Sequence, residues 1–574
     1  MVSVADPQTK NQAAAGRLAS CRRLGLFGSI ALTIGGVFAG IPPKSDPLLQ
    51  HPDLKELRAF TTPMVALVYG GLCLLMIAWW RLGKLVRSET KPSQRELIIT
   101  FAWWGAPLLL AIPIFSTDVY SYIAQGTMTV FGVDAYHQGP RLFAGQWAAD
   151  IPTIWHTTPA PYGPVFLSLA AAVAAVIGGS AWLGVLGMRL LALVGIALII
   201  TAIPRLSRQG GVDPAYGLWL GVLNPVVLVH LVGDAHNDSL MIGLMMAGLT
   251  LAVERRPAAG AVLVTLGTLV KAPAGLALAF IVGVWASQLT GRARYPRAAL
   301  AVGGLAAGTV AVTTWLAGTG YGWISALSTP TLARTWTSIT TDLGYVTGFL
   351  AEQIGFGTQA QALAVWQYAG LATAAVTCVL MLRRHRANPV LGVGLGLGAV
   401  VFLAPVFHPW YMLWATVPLG AIATSPRIRK VVVTLVLVMT LLVYPGGIAT
   451  DLPAVLGLAL GVLLVFGVTW AAANLDRSDL PGSARAALRQ LAPADLLRRL
   501  REAWRNAQTD GPGTGAPPVS LRWARGRSRT GRTSGGRRAR RPSSTDQRHD
   551  QPGAPAPIRA RVEWPDARGP AGNR

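Results

Sequence analysis

Four stretches put reactive side chains where long apolar runs stop. Ser116-Thr-Asp118-Val-Tyr120-Ser-Tyr122 sets one carboxylate among hydroxyls, and Gly233-Asp234-Ala-His236-Asn237-Asp238-Ser239 sets four polar side chains between two apolar runs. Lys271 follows the largely apolar Ala258–Val270, and His408-Pro-Trp-Tyr411 interrupts another pair of runs. A carboxylate at such a boundary suits proton abstraction from an attacking hydroxyl. A lone ammonium there suits a phosphate, and Arg334, between Trp323 and Trp336, is the second such cation. The stretch 116–164 is crowded with Tyr120, Tyr122, Tyr136, His137, Trp147, Trp155, His156 and Tyr162, with Asp134 and Arg141 among them. Rings, hydroxyls and a few carboxylates are what binds the faces and rims of a sugar.

Each group also has a plainer explanation. Asp118 could cap the helix that follows, within an ordinary aromatic belt. Asp238 before an apolar run makes an N-cap, and Asn with Asp suits a tight turn between helices. The Asp/His/Asp content of the same stretch also suggests a divalent metal. Lys271 could snorkel to the interface, and His408 is as good a structural histidine as a ligand contact.

Taken together the groups suit a sugar carried on a phosphorylated lipid. Asp118 would deprotonate an acceptor hydroxyl while Lys271 and Arg334 stabilise the departing phosphate. That leaving group already carries stable negative charge, so the chemistry needs no metal and no other cofactor. Lys271→Ala is expected to weaken donor binding more than folding, because a boundary lysine has little packing to lose.

The elements that position these groups follow from hydropathy. The 574 residues are 52% hydrophobic and 13% charged, against about 25% charged in an ordinary soluble domain. Mean hydropathy is +0.45, and apolar runs near the spanning length of roughly 20 residues recur from Leu24 to Ala473. The expected fold is therefore an all-α polytopic integral membrane protein of about 14 transmembrane helices, with juxtamembrane helices in a large first outer loop. Residues 1–23 form a cytoplasmic segment, 24–475 the transmembrane domain and 476–574 a basic, largely disordered cytoplasmic tail. The formal charge of +25 suggests nucleic acid until it is located: the segment 474–574 alone holds 21 Arg against 9 acidic residues. Such a tail reads as solvated or lipid-associated, with no nucleic-acid partner. Cys21, Cys73 and Cys378 lie in or beside apolar runs, which excludes a disulfide framework.

One apolar run, Val165–Gly178, is read as lying along the outer surface. With it left out, inner loops and N-terminus hold 22 of the 50 Lys/Arg, the tail 21 and the outside or membrane 7. Counting it as a span would turn every later basic loop outward, against the positive-inside rule.

The stretches Ser116–Gly126, Asp134–Arg141, Pro159–Pro164, Gly233–Ser239 and His408–Tyr411 resemble a known family. They are similar to the GT-C glycosyltransferases, and closer to the actinobacterial polyprenol-phosphate-mannose-dependent α-1,6-mannosyltransferases of the MptA/MptB type. The resemblance covers roughly residues 20–475. It implies an inverting transfer of mannose from a β-linked polyprenyl monophosphate to a mannan acceptor, with α-1,6 linkage, in lipomannan and lipoarabinomannan backbone synthesis. It places the active site on the extracytoplasmic side of the cell membrane, with Asp118 as the catalytic carboxylate. Tyr120, Tyr122, Arg141, Tyr162, Asp234, His236, Asn237, Asp238, Lys271, Arg334, His408 and Tyr411 are the expected substrate contacts. The wider superfamily often pairs two acids at the Asp118 position; here Val119 follows, which weakens a metal-bridging role.

Three other readings remain. A transporter or flippase of a lipid-linked sugar would show buried charges and internal repeats. Arg189 is the one basic residue well inside an apolar run, and no repeat is visible. A non-enzymatic envelope scaffold would leave Asp118 as a cap, and a GT-C enzyme using another sugar, such as arabinofuranose, is the third.

The charge distribution generates a test of the topology. A reporter fused after Arg208 should behave as cytoplasmic; periplasmic behaviour would restore Val165–Gly178 as a span.

Overall fold

The computed structural model describes residues 7–43, 61–143, 155–327, 337–423 and 425–442, with a few single positions besides. Lys44, Lys55, Arg58, Trp147, Arg334, Trp336, the basic tail and nearly all of the expected span Pro453–Ala473 lie outside them. Among the described residues every regular element is helical. Leaving aside helical turns of seven residues or fewer, these are in chain order α1 (Pro7–Ala39), α2 (Thr61–Val86), α3 (Gln94–Leu108), α4 (Asp118–Val130) and α5 (Pro164–Val176). Then come α6 (Ala181–Gln209), α7 (Pro214–Gly221), α8 (Asp238–Val253), α9 (Pro257–Thr268), α10 (Leu276–Gln288) and α11 (Arg294–Ala317). The series ends with α12 (Ile339–Gln353), α13 (Gln359–Arg384), α14 (Pro389–Leu403), α15 (Leu413–Ala421) and α16 (Pro426–Leu441).

Among the described residues five helices are long and apolar enough to cross a membrane: α1, α2, α6, α11 and α13. They also leave large apolar side chains uncovered, including Leu190, Val194, Trp315 and Tyr368, as lipid-facing helices do. Among the described residues, eight of the other expected crossings coincide with helices of 8–16 residues, shorter than a full span, and one is visibly broken. The run Pro214–Val232 stops as α7 at Gly221 and resumes as a π-helical turn, Val227–Gly233. Pro225 has no N–H to give and crowds the preceding turn. Asn224 bridges the gap: Nδ2 donates to the Leu220 carbonyl and Oδ1 accepts from Val227 N–H, each at 3.0 Å.

α5 has 13 residues, about 20 Å, short of a core of about 30 Å, and it packs on α4. α12 falls partly in the expected outer loop Gly318–Gly344 and was not anticipated. Asp342, Glu352 and three threonines dilute its apolar pattern, yet it packs along α13.

Caps and close contacts set the frame. Ser93 and Glu96 form a reciprocal capping box that starts α3. Trp79 and Trp219 stack at 4.9 Å and each indole N–H donates to the other's carbonyl, at 3.0 and 2.8 Å, which locks α2 to α7. α6 and α8 meet at glycine, as helices in lipid do. A Cβ on Gly195 would come within 2.3 Å of the Ser239 backbone, and one on Gly243 within 2.4 Å of the Gly195 carbonyl oxygen.

That crossing fixes the start of α8, where Asp238 stands. Gly195→Val should push the helices apart at a cost of about 1–3 kcal/mol. A thermal midpoint in detergent equal to wild type would refute the close contact.

Candidate active site

Two buried groups tie the loop after α3 to the loop before α8. Arg189, in the third turn of α6, is 1% exposed. Its Nε donates to the Gly233 carbonyl at 3.1 Å, Nη2 joins the same oxygen, and Nη1 donates to the Leu109 carbonyl at 2.9 Å. Asp234 works from the other side. Its Oδ1 accepts the backbone N–H groups of Ile114 and Phe115 at 2.9 and 3.3 Å, and its Oδ2 lies 3.1 Å from His230 Nδ1. Ala235 then turns the chain with φ +56°, a left-handed conformation that costs a residue with a Cβ about 1–2 kcal/mol.

That turn sets His236 beside Asp118. Asp118 occupies the first helical position of α4, and Thr117 at the N-cap makes no side-chain capping bond. The backbone N–H of Asp118 donates to Ser116 Oγ at 3.2 Å. Its carboxylate is thus not serving as a cap: Oδ2 lies 3.5 Å from His236 Nδ1, and the side chain is 23% exposed. Tyr122, one turn on, brings its hydroxyl to 3.4 Å from the same nitrogen. Tyr162 and Phe166 pack edge-on against Tyr122 at 5.3 and 5.0 Å.

Electrostatics follow from this packing. Burial pushes the Asp118 carboxyl up to about 6, with Lys271 opposing and Asp238 and Asp234 reinforcing the shift. Burial holds His236 neutral, well below the usual imidazole range, with His230, Lys271 and His408 adding to it.

The second half of the cluster corrects the expectation for Lys271. It is not a lone ammonium: Nζ lies 2.9 Å from both carboxylate oxygens of Asp238, which also accepts the Trp414 indole N–H at 2.6 Å. Asp238 is completely buried, and an ion so placed needs a partner. Lys271 also lies over the rings of Tyr411 and Trp414, at 4.5 and 5.4 Å. Trp410 is sandwiched between His236 at 4.0 Å and His408 at 4.5 Å. Burial first, then Lys271, depresses His408 to about 3, so it too stays neutral.

Ten of the expected residues therefore meet: Asp118, Tyr122, Tyr162, Asp234, His236, Asn237, Asp238, Lys271, His408 and Tyr411. Tyr120 does not join them; its hydroxyl donates to the Ile41 carbonyl at 2.7 Å and fastens the end of α1. Arg141 is exposed in the turn Pro140–Phe143, its backbone N–H given to His156. Arg334 falls outside the described residues. His230, Trp410, Trp414 and the role of Arg189 were missed. His230 had a signal, standing four residues before Asp234, but it looked like part of an apolar run.

Several buried atoms here have no hydrogen-bond partner: His230 Nε2, His236 Nε2 and both polar atoms of the Asn237 amide. Such orphans each cost about 1–3 kcal/mol, and a polar ligand would satisfy them. Among the described residues, His230, Asp234 and His236 are also the group able to hold a metal, with ligand atoms within 4.8 Å of one another. Both Asp234 oxygens, however, already accept hydrogen bonds that hold the two loops.

Comparison with known proteins adds an independent line. A family profile described as "Alpha-(1->6)-mannopyranosyltransferase, N-terminal domain" matches residues 22–287, and the "MptB C-terminal domain" profile matches 340–471. A probable alpha-(1->6)-mannopyranosyltransferase of Mycolicibacterium smegmatis is 34% identical over 463 residues, 73% of this chain and 82% of that protein. Alpha-(1->6)-mannopyranosyltransferase B of Corynebacterium glutamicum is 32% identical, over 79% of this chain and 81% of its own length. Alpha-(1->6)-mannopyranosyltransferase A of Mycobacterium tuberculosis is 35% identical, over 71% and 81%. No solved structure matches the chain.

The Asp238–Lys271 pair changes what a Lys271 variant should do. Lys271→Met strands a buried carboxylate and should cost about 3–5 kcal/mol, read as a lowered thermal midpoint. Adding Asp238→Leu should recover much of the loss. A single variant as stable as wild type would mean that the pair contributes nothing to the fold.

Proposed function

The chain belongs to the alpha-(1->6)-mannopyranosyltransferase family, and from that premise we propose that it moves mannose from a polyprenyl monophosphate to a mannan acceptor. Asp118 accepts the proton of an acceptor hydroxyl as that oxygen attacks the anomeric carbon. The bond from that carbon to the phosphate oxygen breaks, and its electron pair leaves with the polyprenyl phosphate. Attack opposite the leaving group turns a β-linked donor into an α-1,6 product, extending a lipomannan or lipoarabinomannan backbone. On this reading the protein is multi-pass and the site faces the extracytoplasmic side of the cell membrane, where the phosphate of a lipid donor would reside.

The observation that carries the reading is Asp118 itself. It is a partly open carboxylate, uninvolved in capping, held beside a neutral histidine and within a ring of tyrosines. A base poised at about 6 is ionised at neutral pH yet still able to take a proton. Asn237 and His236 offer unpartnered polar atoms to sugar hydroxyls or phosphate oxygens. Lys271 has three N–H donors, of which Asp238 engages two, so it remains a contact for the phosphate while its charge is balanced. A leaving phosphate of this kind needs no metal. The transporter reading loses its main support, because Arg189 is occupied by two backbone carbonyls.

Asp118→Asn keeps the size of the side chain and removes the base. Transfer of labelled mannose from polyprenyl-phosphomannose to a short α-1,6-mannoside should fall by about 10²–10⁴, with donor binding retained. Wild-type turnover in that variant would overturn the mechanism.

The raised carboxyl also fixes a pH dependence. Below about 6 Asp118 holds its proton and cannot act, so the wild-type rate should rise through pH 6 and level off above it. His236 and His408 are neutral on both sides of that step and contribute nothing to it. A rate flat from about pH 5 to 8 would remove Asp118 as the base.

A further inference from the structure

A second cavity opens at the far end of α4, away from Asp118. It has a volume of about 160 Å³ and lies between Thr129, Asp134, Tyr136 and Leu167 on one side and Ala317–Thr319, at the end of α11, on the other. Eleven residues of helix separate Asp118 from Thr129, about 16 Å along the axis. The group is packed separately from the main core: Met128, Ala135, Tyr136, Ala160, Leu167 and Ala326 form their own apolar cluster, with Trp323 against it.

Tyr136 is 3% exposed, and its hydroxyl and Thr319 Oγ1 face one another with no further partner for either. Asp134 holds the wall in shape, accepting Tyr136 N–H at 2.8 Å and lying 2.7 Å from His137 Nδ1. Gly318 and Gly132, both at positive φ, form turns on opposite walls with open space where a Cβ would stand.

From this geometry we infer that the cavity is a remote saccharide subsite, which binds a pyranose of the acceptor chain several residues back from the hydroxyl being glycosylated. The inference rests on the reading of Asp118 as the centre of glycosyl transfer. The Tyr136 and Thr319 hydroxyls, which both donate and accept, and the apolar Tyr136 ring suit the rim and face of a neutral sugar. No lining residue is cationic and Asp134 is acidic, which disfavours a phosphate. The polar groups of Thr129, Asp134, Tyr136 and Thr319 in the lining disfavour a lipid tail. The distance from Asp118 excludes the sugar being transferred.

The test uses the full-length protein in detergent with two acceptors, α-1,6-mannohexaose and α-1,6-mannobiose. The hexaose spans the separation and the biose does not. Tyr136→Phe and Thr319→Val should each raise KM for the hexaose about three- to tenfold, the worth of one neutral hydrogen bond, with kcat and the KM for the biose unchanged. KM values that rise together for both acceptors, or for neither, would overturn the subsite. Hexaose binding without donor, followed by NMR, keeps the two readings apart. Asp118→Asn should bind hexaose as wild type does, and Thr319→Val more weakly. If wild type transfers no mannose, the assignment of the reaction fails, while equal hexaose binding by wild type and Thr319→Val would sink the subsite alone.

Discussion

Everything near Asp118 depends on one guanidinium. Arg189 takes the Gly233 and Leu109 carbonyls, one from each loop, and so prevents the loops from drifting apart. Asp234 repeats the join in the opposite sense, accepting N–H groups of the loop that Arg189 holds by its carbonyl. A cation buried in an apolar helix is expensive unless its donors are used, and here all three engaged nitrogens find backbone oxygen. Each of these two side chains bonds main-chain groups of the loops, so the tie holds the loop backbones directly.

The cluster so held is assembled from both ends of the sequence. Asp118, His236, Asp238 and Lys271 fall within the first family match, and His408, Trp410, Tyr411 and Trp414 within the second. Neither part has a complete site: Lys271 lacks its aromatic bed without Tyr411 and Trp414, and His236 loses its stacking partner without Trp410. The short helices α7 and α15 pack on each other beneath this junction. Broken helices are tolerated in a membrane where neighbouring elements and side chains satisfy the freed backbone groups, as Asn224 does here.

The sequence made some of this legible, for a physical reason. A polar residue where an apolar run stops is costly to place and stands out, so Asp118, Asp234, His236, Asp238 and His408 could be singled out in advance. Pairing was not legible. Lys271 and Asp238 are 33 residues apart and Trp414 is 176 from Asp238, so a lysine that looked alone was an ion-pair member. Tyr120 and Tyr122 looked equivalent, but two residues apart on a helix they face different neighbours, Ile41 and His236. Helical character was readable from apolar runs, whereas helix length was not. Pro225 was visible as a breaker and read through; α12 was hidden by its acidic residues.

On the proposed reading, the pairing of Lys271 with Asp238 has a consequence for how an anionic lipid donor would reach the site. Among the described residues Arg189 and Asp234 stand near one another as opposite charges, Lys271 and Asp238 cancel, and Asp118, ionised at neutral pH, leaves the cluster slightly negative. Such a cluster projects little attractive field of its own, unlike a basic funnel that steers a phosphate from a distance. Encounter with the proposed donor would then come from lateral diffusion within the leaflet, with the hydrocarbon chain supplying the local concentration that charge does not. Changing ionic strength so that the Debye length shrinks from about 30 Å to about 8 Å would leave such an encounter almost untouched.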